Sequence, residues 1–149
     1  MRQTRIVTSF LSFNNKILIL KRSEKVKSMK GLWAGISGII ENNELPVNRA
    51  KIEIFEEVGI TAEHVKLVKS SNELIIESPQ YKNHQWVIFP FLFQTDKDDI
   101  KLNWENSEFQ WISIEKLKEF NTVPSLEKCY SACCSSVFFS YFLCCGSIR

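Results

Sequence analysis

The most informative part of the chain is GIIENNELPVNRAKIEIFEEVGI, which covers residues 38–60. Its apolar residues have helical rather than alternating spacing, with Pro46 near the start and Gly59 at the end, and this predicts a helix over residues 45–58. Three carboxylates share one face of that helix within roughly 100° of arc, those of Glu53, Glu56 and Glu57. The opposite face is expected to pack on the core, and it consists of Val47, Ala50, Ile54, Phe55 and Val58. The acidic face is therefore predicted to look away from the core.

Three clustered glutamates have two interpretations. An acidic helix face is usually solvated surface, but like charges that cluster also cost free energy unless solvent or a bound cation screens them. The neighbouring residues help to distinguish these cases, because they fit the spacing G-x5-E-x7-R-E-U-x-E-E-x-G-U, in which U is aliphatic. The residues that fit are Gly38, Glu44, Glu53, Ile54, Glu56, Glu57, Gly59 and Ile60. Ile52 is the exception, since it stands where the pattern has Arg.

This segment resembles the Nudix box, and the sequence resembles the Nudix hydrolases. The resemblance extends over the body of the chain, because GLWAGISG precedes the box and WENSEFQWI follows it, as in that family. It ends near Lys128, so a Nudix domain is expected over residues 1–128. The implied fold class is α/β (α+β), with a mixed β-sheet sandwiched between α-helices. The implied activity is hydrolysis of a nucleoside diphosphate linked to another moiety, a pyrophosphohydrolase reaction that uses Mg²⁺ or Mn²⁺.

The resemblance also implies roles for the box residues. Glu56 and Glu57 are the expected metal ligands, and Glu53 is either a ligand or the base that activates water. The Gly38 carbonyl is expected to be a further ligand, and Glu44 to be structural, closing the loop before the helix. Mg²⁺ is a hard ion that prefers oxygen ligands and keeps several waters, so a few carboxylates together with substrate phosphate oxygens suit it.

A further glutamate outside the box often completes the catalytic set in this family. Glu105 is the first candidate, because it stands four residues before Phe109 in WENSEFQWI. Glu108 is the second candidate. Either residue could instead be an exposed loop carboxylate.

Ile52 puts the activity of such an enzyme in question, because isoleucine offers neither charge nor hydrogen bond to the neighbouring glutamate. Arg49 precedes Glu53 by four residues on the same face, so we predict that the two pair and that Arg49 replaces the missing arginine. The alternative is a Nudix-fold binding or regulatory domain without turnover, and the retained glutamates favour the hydrolase. An isomerase of the isopentenyl diphosphate type, which shares this fold, is disfavoured because no cysteine precedes Cys129.

Few other polar residues are candidates for the site. Arg22 and Lys30 belong to a basic stretch that is predicted to be a loop, and they could bind substrate phosphates or simply be solvated. His64 and His84 show no ligand spacing. The five cysteines lie within residues 129–145 and contain no CxxC pair, so no zinc site is expected.

The rest of the chain reads as strands and short helices. Asn14-Asn15 lies between two β-rich runs and suits a tight hairpin turn. Residues 31–40 are predicted to form one strand, whose glycines allow something to approach closely, a ligand being one option. Pro90, in a predicted strand, indicates a bulge or an edge. The remaining predicted strands cover residues 65–68, 73–77, 85–94 and 109–113, and helices are predicted over 114–120 and from 124 onward.

Composition indicates a soluble globular domain. Hydrophobic residues make up 44% and charged residues 24%, and the formal net charge is +2, which gives no support for nucleic-acid binding. No charged residue lies between Lys128 and Arg149. Residues 129–149 are therefore treated as a separate uncharged tail rich in Cys, Phe and Ser. Its apolar run is far shorter than the roughly 20 residues of a membrane span, so burial against the domain or in a homodimer is expected.

The first residues lack the pattern of a secretory signal, so a cytoplasmic location is expected. The organic group carried by the diphosphate is left open by the sequence. The loops over residues 23–30 and 78–84 are predicted to shape its pocket. Oxidised nucleotides, ADP-ribose and dinucleoside polyphosphates are all compatible with the residues.

Overall fold

The fold is a mixed sheet with one long helix, seen in a computed structural model that describes residues 1–133. The strands are β1 (Arg2–Phe13), β2 (Lys16–Arg22), β3 (Trp33–Ala34), β4 (Ile36–Ile39), β5 (Val65–Ser70), β6 (Leu74–Glu77), β7 (His84–Thr95) and β8 (Asn106–Ile112). The long helix is α1 (Pro46–Val58). Two 3₁₀ turns lie at Ala62–His64 and Ile114–Glu119, and residues 126–133 are helical.

The sheet is organised around β1. This strand pairs antiparallel with β2 and β4 and parallel with β7, from Arg2 opposite His84 to Ser12 opposite Gln94. The predicted hairpin between β1 and β2 is confirmed, since Asn14 and Asn15 both have positive φ, at 50° and 62°. Such angles suit the right-handed twist of a two-residue turn.

The second central strand is β7, and it contains Pro90. Its far side pairs with β6 up to Ile88 and with β5 from Phe91 onward. Pro90 therefore lies opposite the interruption between these two strands, where no partner on that side needs its missing N–H. The expectation of an edge strand is wrong, because β7 has neighbours on both sides.

Apolar side chains cover both faces of the sheet. On one face, Val7 and Leu11 of β1 pack with Ile54 of α1. On the other face, Phe10 packs with Leu126, which belongs to the helical segment 126–133. Successive strand residues point to opposite faces, so one strand serves two cores. The expected mixed sheet sandwiched between helices is confirmed.

Several predicted boundaries differ from those in the structure. Residues 31–40 do not form one strand, because the chain changes partner at Gly35: β3 pairs with β2 and β4 with β1. The strand predicted over residues 109–113 begins earlier, at Asn106, and the helix predicted over 114–120 is a 3₁₀ turn. The helix predicted from residue 124 onward begins at residue 126.

The composition change at Lys128 falls inside the helical segment 126–133. Cys129 and Cys133, beyond that point, are buried, and burial raises the pKa of the Cys129 thiol to about 11. The rest of the predicted tail, with Cys134, Cys144 and Cys145, lies outside the described residues. Within residues 1–133, no helix combines the length and apolar character needed to cross a membrane.

The end of α1 yields a stability test. Gly59 caps the helix at φ 78° and donates its N–H to the Phe55 carbonyl at 3.0 Å, and a Cβ there would lie 3.1 Å from Lys101 Cβ. We expect Gly59→Ala to lower the free energy of unfolding by about 1–2 kcal/mol, measured by urea denaturation. The control is Asn48→Ala at an exposed position of α1, which is expected to stay within about 0.5 kcal/mol. Equal urea midpoints for the two variants would contradict this reading of the cap.

Candidate active site

Two of the three glutamates of α1 are buried, contrary to the prediction that the acidic face looks away from the core. Glu53 and Glu57 are only 8% and 4% exposed, and Glu56 is exposed. Phe55, which was expected in the core, is 55% exposed. The reason is that β4 and the start of β8 cover the side of α1 that carries these two glutamates: Gly38 lies against Glu53, and Asn106 contacts Glu57.

Gly38 of β4 makes room for one of these carboxylates. A Cβ placed on Gly38 would lie 2.2 Å from Glu53 Cδ, so only glycine allows the side chain to rest against the strand. The close approach expected at the glycines is therefore made here by a protein carboxylate. The Gly38 backbone and Glu53 share one wall of a cavity.

Arg49 connects two carboxylates at the start of α1. Its Nη1 donates to Glu53 Oε2 at 3.0 Å, so the predicted pairing is confirmed. Its Nε donates to Glu44 Oε2 at 2.9 Å, and its Nη2 also contacts Glu44. These hydrogen bonds lower the pKa of Glu44, which also accepts from the Glu41 N–H and so closes the loop as expected. Ile52, by contrast, is 42% exposed.

Glu57 lies deepest in the cluster. Asn106 Nδ2 donates to its Oε1 at 3.1 Å, while Oε2 is buried without a hydrogen-bond partner in the described residues. Burial raises the pKa of Glu57 well above its ordinary value, and the charge of Glu105 raises it further. The pKa of Glu53 is also raised, mainly by burial. A buried acceptor without a donor is unfavourable, so this oxygen suits a cation.

The two glutamates predicted outside the box, Glu105 and Glu108, lie in different surroundings. Glu105 faces the cavity, and Asn103 holds it: Asn103 Nδ2 donates to Glu105 Oε1 at 3.1 Å and the Glu105 N–H donates to Asn103 Oδ1 at 3.0 Å. Ser23 fastens this loop to the end of β2, since its N–H donates to the Glu105 carbonyl at 2.8 Å. Glu108 instead pairs with Lys21 on the surface at 3.3 Å.

One cavity of about 710 Å³ brings most of the predicted residues together. Its charged lining consists of Arg22, Glu41, Arg49, Glu53, Glu56 and Glu105, and Gly38 lines it as well. Glu57 lies behind this wall, and Lys30 is exposed outside it. Burial lowers the pKa of Arg22, while the charges of Glu57 and Glu105 oppose that shift. The Arg22 guanidinium is therefore a positively charged group among the carboxylates of the cavity wall.

The donor set fits a hard divalent cation in its chemistry. It offers only oxygen atoms, and one of them, Glu57 Oε2, is buried without a donor. In residues 1–133, however, no three His, Cys, Asp or Glu side chains converge closely enough to cage an ion as they stand. Arg49 holds Glu53 and Asn106 holds Glu57, so each carboxylate already has a partner. Mg²⁺ tolerates such a site, because it retains waters and takes substrate oxygens as ligands.

The histidines and cysteines take no part in this cluster. His64 Nδ1 lies 3.0 Å from Asp96 Oδ1 on the surface, and His84 Nε2 lies 2.6 Å from Thr4 Oγ1. Cys129 lines the same cavity and belongs to the apolar cluster that contains Phe10 and Leu126. No zinc site of three or more such ligands is present in the described residues.

Sequence reasoning missed the amides that hold the acids. Asn103 and Asn106 flank Glu105 in the run NWEN, and each donates to a carboxylate. In an Asx turn, an asparagine side chain accepts from the backbone N–H two residues later, as Asn103 does from Glu105. Asn103 could therefore have been predicted to hold this loop. The contact of Asn106 with Glu57 spans 49 positions and has no local signal.

Comparisons with known proteins agree with this architecture. The family model described as NUDIX domain matches residues 2–133. In sequence, the chain is similar to the dihydroneopterin triphosphate diphosphatase of Haemophilus influenzae, at 26% identity over 140 residues that cover 85% of each protein.

Solved structures show the same fold at low identity. The MutT protein from Methanosarcina mazei Go1 has 23% identity and a TM-score of 0.67, with 84% of this chain and 87% of that one covered. A C. elegans Ap4A hydrolase in a binary complex has 17% identity and a TM-score of 0.68, with 97% and 98% covered.

The burial of Glu57 predicts a specific dependence of stability on pH. A carboxyl whose pKa is raised on folding contributes stability that is fully present below its ordinary value of 4.5 and is lost as pH rises through the folded pKa. Glu57→Gln removes this titration, and its amide can still accept from Asn106. Without divalent cations, we expect the variant to melt roughly 3–6 °C above the original protein at about pH 8 and equally near pH 4.

The matched control is Glu108→Gln, which changes an exposed glutamate, and its melting temperature should follow that of the original protein within about 1 °C. Scanning calorimetry across this pH range measures both. A constant difference between Glu57→Gln and the original protein at all pH values would rule out the titration of Glu57 as its cause.

Proposed function

The chain belongs to the NUDIX family of hydrolases, which act on nucleoside-diphosphate-linked substrates, and we propose that it hydrolyses such a substrate with Mg²⁺ or Mn²⁺. The reaction adds water across a P–O–P linkage and gives two phosphate-terminated products. The observation that carries this proposal is Glu57, a buried carboxylate whose Oε2 has no donor in the described residues, next to Glu53 and facing the charge of Glu105. Such a group of like charges is costly without a cation.

The site residues divide into metal-holding and proton-accepting groups. Glu56 and Glu57 would hold the ion, with Glu53 and the Gly38 carbonyl as further ligands. When bound, the ion neutralises the diphosphate and lowers the pKa of a coordinated water. Glu53 and Glu105 both line the cavity, so either can accept the proton of the attacking water at a carboxylate oxygen.

Arg22 is the group best placed to bind phosphate oxygens. It lines the cavity, and its Nε donates to the Ser28 carbonyl at 3.1 Å, which leaves other guanidinium N–H groups for a ligand. Lys30 is a weaker candidate, because it is exposed and outside the cavity wall. A fixed guanidinium next to the carboxylates offers the positive charge that a diphosphate needs.

Arg49 supports the hydrolase over a binding domain without turnover. The case for lost activity rests on Ile52, but Arg49 supplies the charge and hydrogen bonds that isoleucine lacks, at 3.0 Å from Glu53. Because Glu44 anchors the other side of the guanidinium, Arg49 is fixed on two sides. Arg49 is thus a positioning residue for Glu53.

The substrate is to be identified from a panel. The relative from Haemophilus influenzae is named for dihydroneopterin triphosphate, and the C. elegans neighbour for Ap4A. We expect Mg²⁺-dependent hydrolysis of at least one member of a panel of dihydroneopterin triphosphate, Ap4A, ADP-ribose and an oxidised deoxynucleoside triphosphate, with activity removed by EDTA. In that assay, Glu56→Gln is expected to lower kcat at least about 100-fold, and the surface control Glu108→Gln less than about twofold. Activity that survives EDTA, or binding of nucleotide without any turnover, would overturn the proposal.

A second test asks whether Arg49 replaces the arginine that the family pattern has at position 52. We expect Arg49→Ala to lower kcat about 10–100-fold, because Glu53 loses the guanidinium that donates to its Oε2 at 3.0 Å. Adding Ile52→Arg to that variant should restore kcat to within about threefold, since it returns an arginine to the position of the family pattern. Lys51→Ala is the control on the same helix, with less than about twofold change expected.

These variants also separate two ideas. If Arg49→Ala leaves kcat unchanged while Glu57→Gln abolishes it, Arg49 does not replace the missing arginine, but the metal site stands. If Arg49→Ala lowers kcat and Ile52→Arg gives no recovery, the loss reflects the packing of Arg49 rather than its charge, and the replacement is again wrong.

A further inference from the structure

Asn106 connects two parts of the site that are far apart in the sequence. It is the first residue of β8 and is only 7% exposed. Its Nδ2 donates to Oε1 of Glu57, which lies on α1, 49 positions earlier. The hydrolysis proposed above assigns no role to this hydrogen bond.

A β-bulge determines which face of the sheet Asn106 occupies. On β8, Glu108 pairs with Lys21 of β2. The next residue of β2, Arg22, pairs with Asn106, so Ser107 is an extra residue without a partner. Because side chains alternate between the two faces of a strand, a regular strand would place Ser107 opposite Arg22 and turn Asn106 to the other face. The extra residue therefore brings Asn106 to the face on which α1 packs.

The backbone around Asn106 is held by hydrogen bonds. Ser23, which follows β2 and is buried, donates from Oγ to the Trp104 carbonyl at 2.7 Å and from its N–H to the Glu105 carbonyl at 2.8 Å. The Asn106 N–H donates to the Asn103 carbonyl at 3.4 Å. These contacts fix the start of β8, so the Asn106 side chain leaves the backbone in one direction.

The Asn106 amide distinguishes between the two carboxylate oxygens of Glu57. A glutamate side chain has several rotatable bonds, so without a partner it could present either oxygen to a ligand. The hydrogen bond at 3.1 Å holds Oε1, whereas Oε2 is buried and has no hydrogen-bond partner in residues 1–133. Oε2 is therefore the oxygen that is left for a cation.

The donor at Glu57 is neutral, which suits a cation site. At the neighbouring carboxylate, Glu53, the donor is the Arg49 guanidinium at 3.0 Å. A guanidinium opposes a cation bound to the same carboxylate, because like charges repel. An amide orients the carboxylate and leaves its negative charge for the cation. Asn106 is therefore suited to hold the glutamate that lies deepest in the cluster.

We propose that Asn106 is a positioning residue of the cation site, which holds Glu57 by Oε1 so that Oε2 meets the cation. The proposal rests on the function proposed above for the presence of a divalent cation at Glu57. Removing a partner that orients a metal ligand typically lowers metal affinity about 10–100-fold. The role of Asn106 is therefore measurable in cation binding alone, without substrate.

The test measures the binding of Mn²⁺ to the full chain from the electron paramagnetic resonance signal of free Mn²⁺. Asn106→Leu keeps the branched shape of the side chain but has no N–H, so we expect its Kd for Mn²⁺ to be at least about tenfold higher than that of the original protein. Asn106→Gln retains an amide donor and is expected to stay within about threefold. An unchanged Kd in Asn106→Leu would overturn the proposal. Equal losses in Asn106→Leu and Asn106→Gln would also overturn it, because the shape of the side chain and not its N–H would then matter.

Asn106→Ala provides a second variant in case Asn106→Leu does not fold, and the same loss of at least about tenfold is expected. The matched control is Ser107→Ala, which changes the exposed side chain of the extra residue and keeps the bulge, with less than about twofold change expected. A loss in this control equal to that in the Asn106 variants would contradict the proposal. If the original protein bound no Mn²⁺, the proposed function would fail and this role with it. If the original protein and Asn106→Leu bound Mn²⁺ equally, only the role of Asn106 would be wrong.

Discussion

The burial of Glu53 and Glu57 between α1, β4 and the loop before β8 is the constraint on which the site depends. Removing two carboxylates from water raises their pKa values and leaves Glu57 Oε2 without a donor in the described residues. The fold offsets part of this cost with the side chains of Arg49 and Asn106, one for each acid. The remainder is an unfavourable electrostatic arrangement that a divalent cation can relieve. The cluster thus costs the folded protein some stability, and this cost is the basis of the cation site proposed above.

Local signals were sufficient for part of the fold. The hairpin at Asn14-Asn15 and the end of α1 at Gly59 follow from turn residues and apolar spacing, whereas the mixed sheet was expected from the resemblance to the Nudix hydrolases. Helical periodicity also placed the glutamates on one face, but it assigned that face to solvent and Phe55 to the core, which is wrong. The spacing of apolar residues separates a helix into an apolar and a polar face. It does not reveal which element packs on each face, because that depends on contacts distant in sequence, such as that of Asn106 with Glu57.

The position of Arg49 shows how one motif residue can be exchanged for another. On a helix, residue 49 lies one turn before Glu53, whereas residue 52 is its direct neighbour in sequence. An arginine at 49 therefore reaches Glu53 along the helix and reaches Glu44 at the same time. The guanidinium thus stands beside Glu53, while Ile52 is 42% exposed. The charge near Glu53 is kept although the sequence pattern is not.

The cavity takes its lining residues from elements on both sides of the same sheet. Along β1, residues that alternate with those packed on α1 point toward the helical segment 126–133, so Ile6 lines the cavity while Val7 is in the core under α1. The carboxylates reach the cavity from α1 past the edge strand β4, where Gly38 leaves space for Glu53.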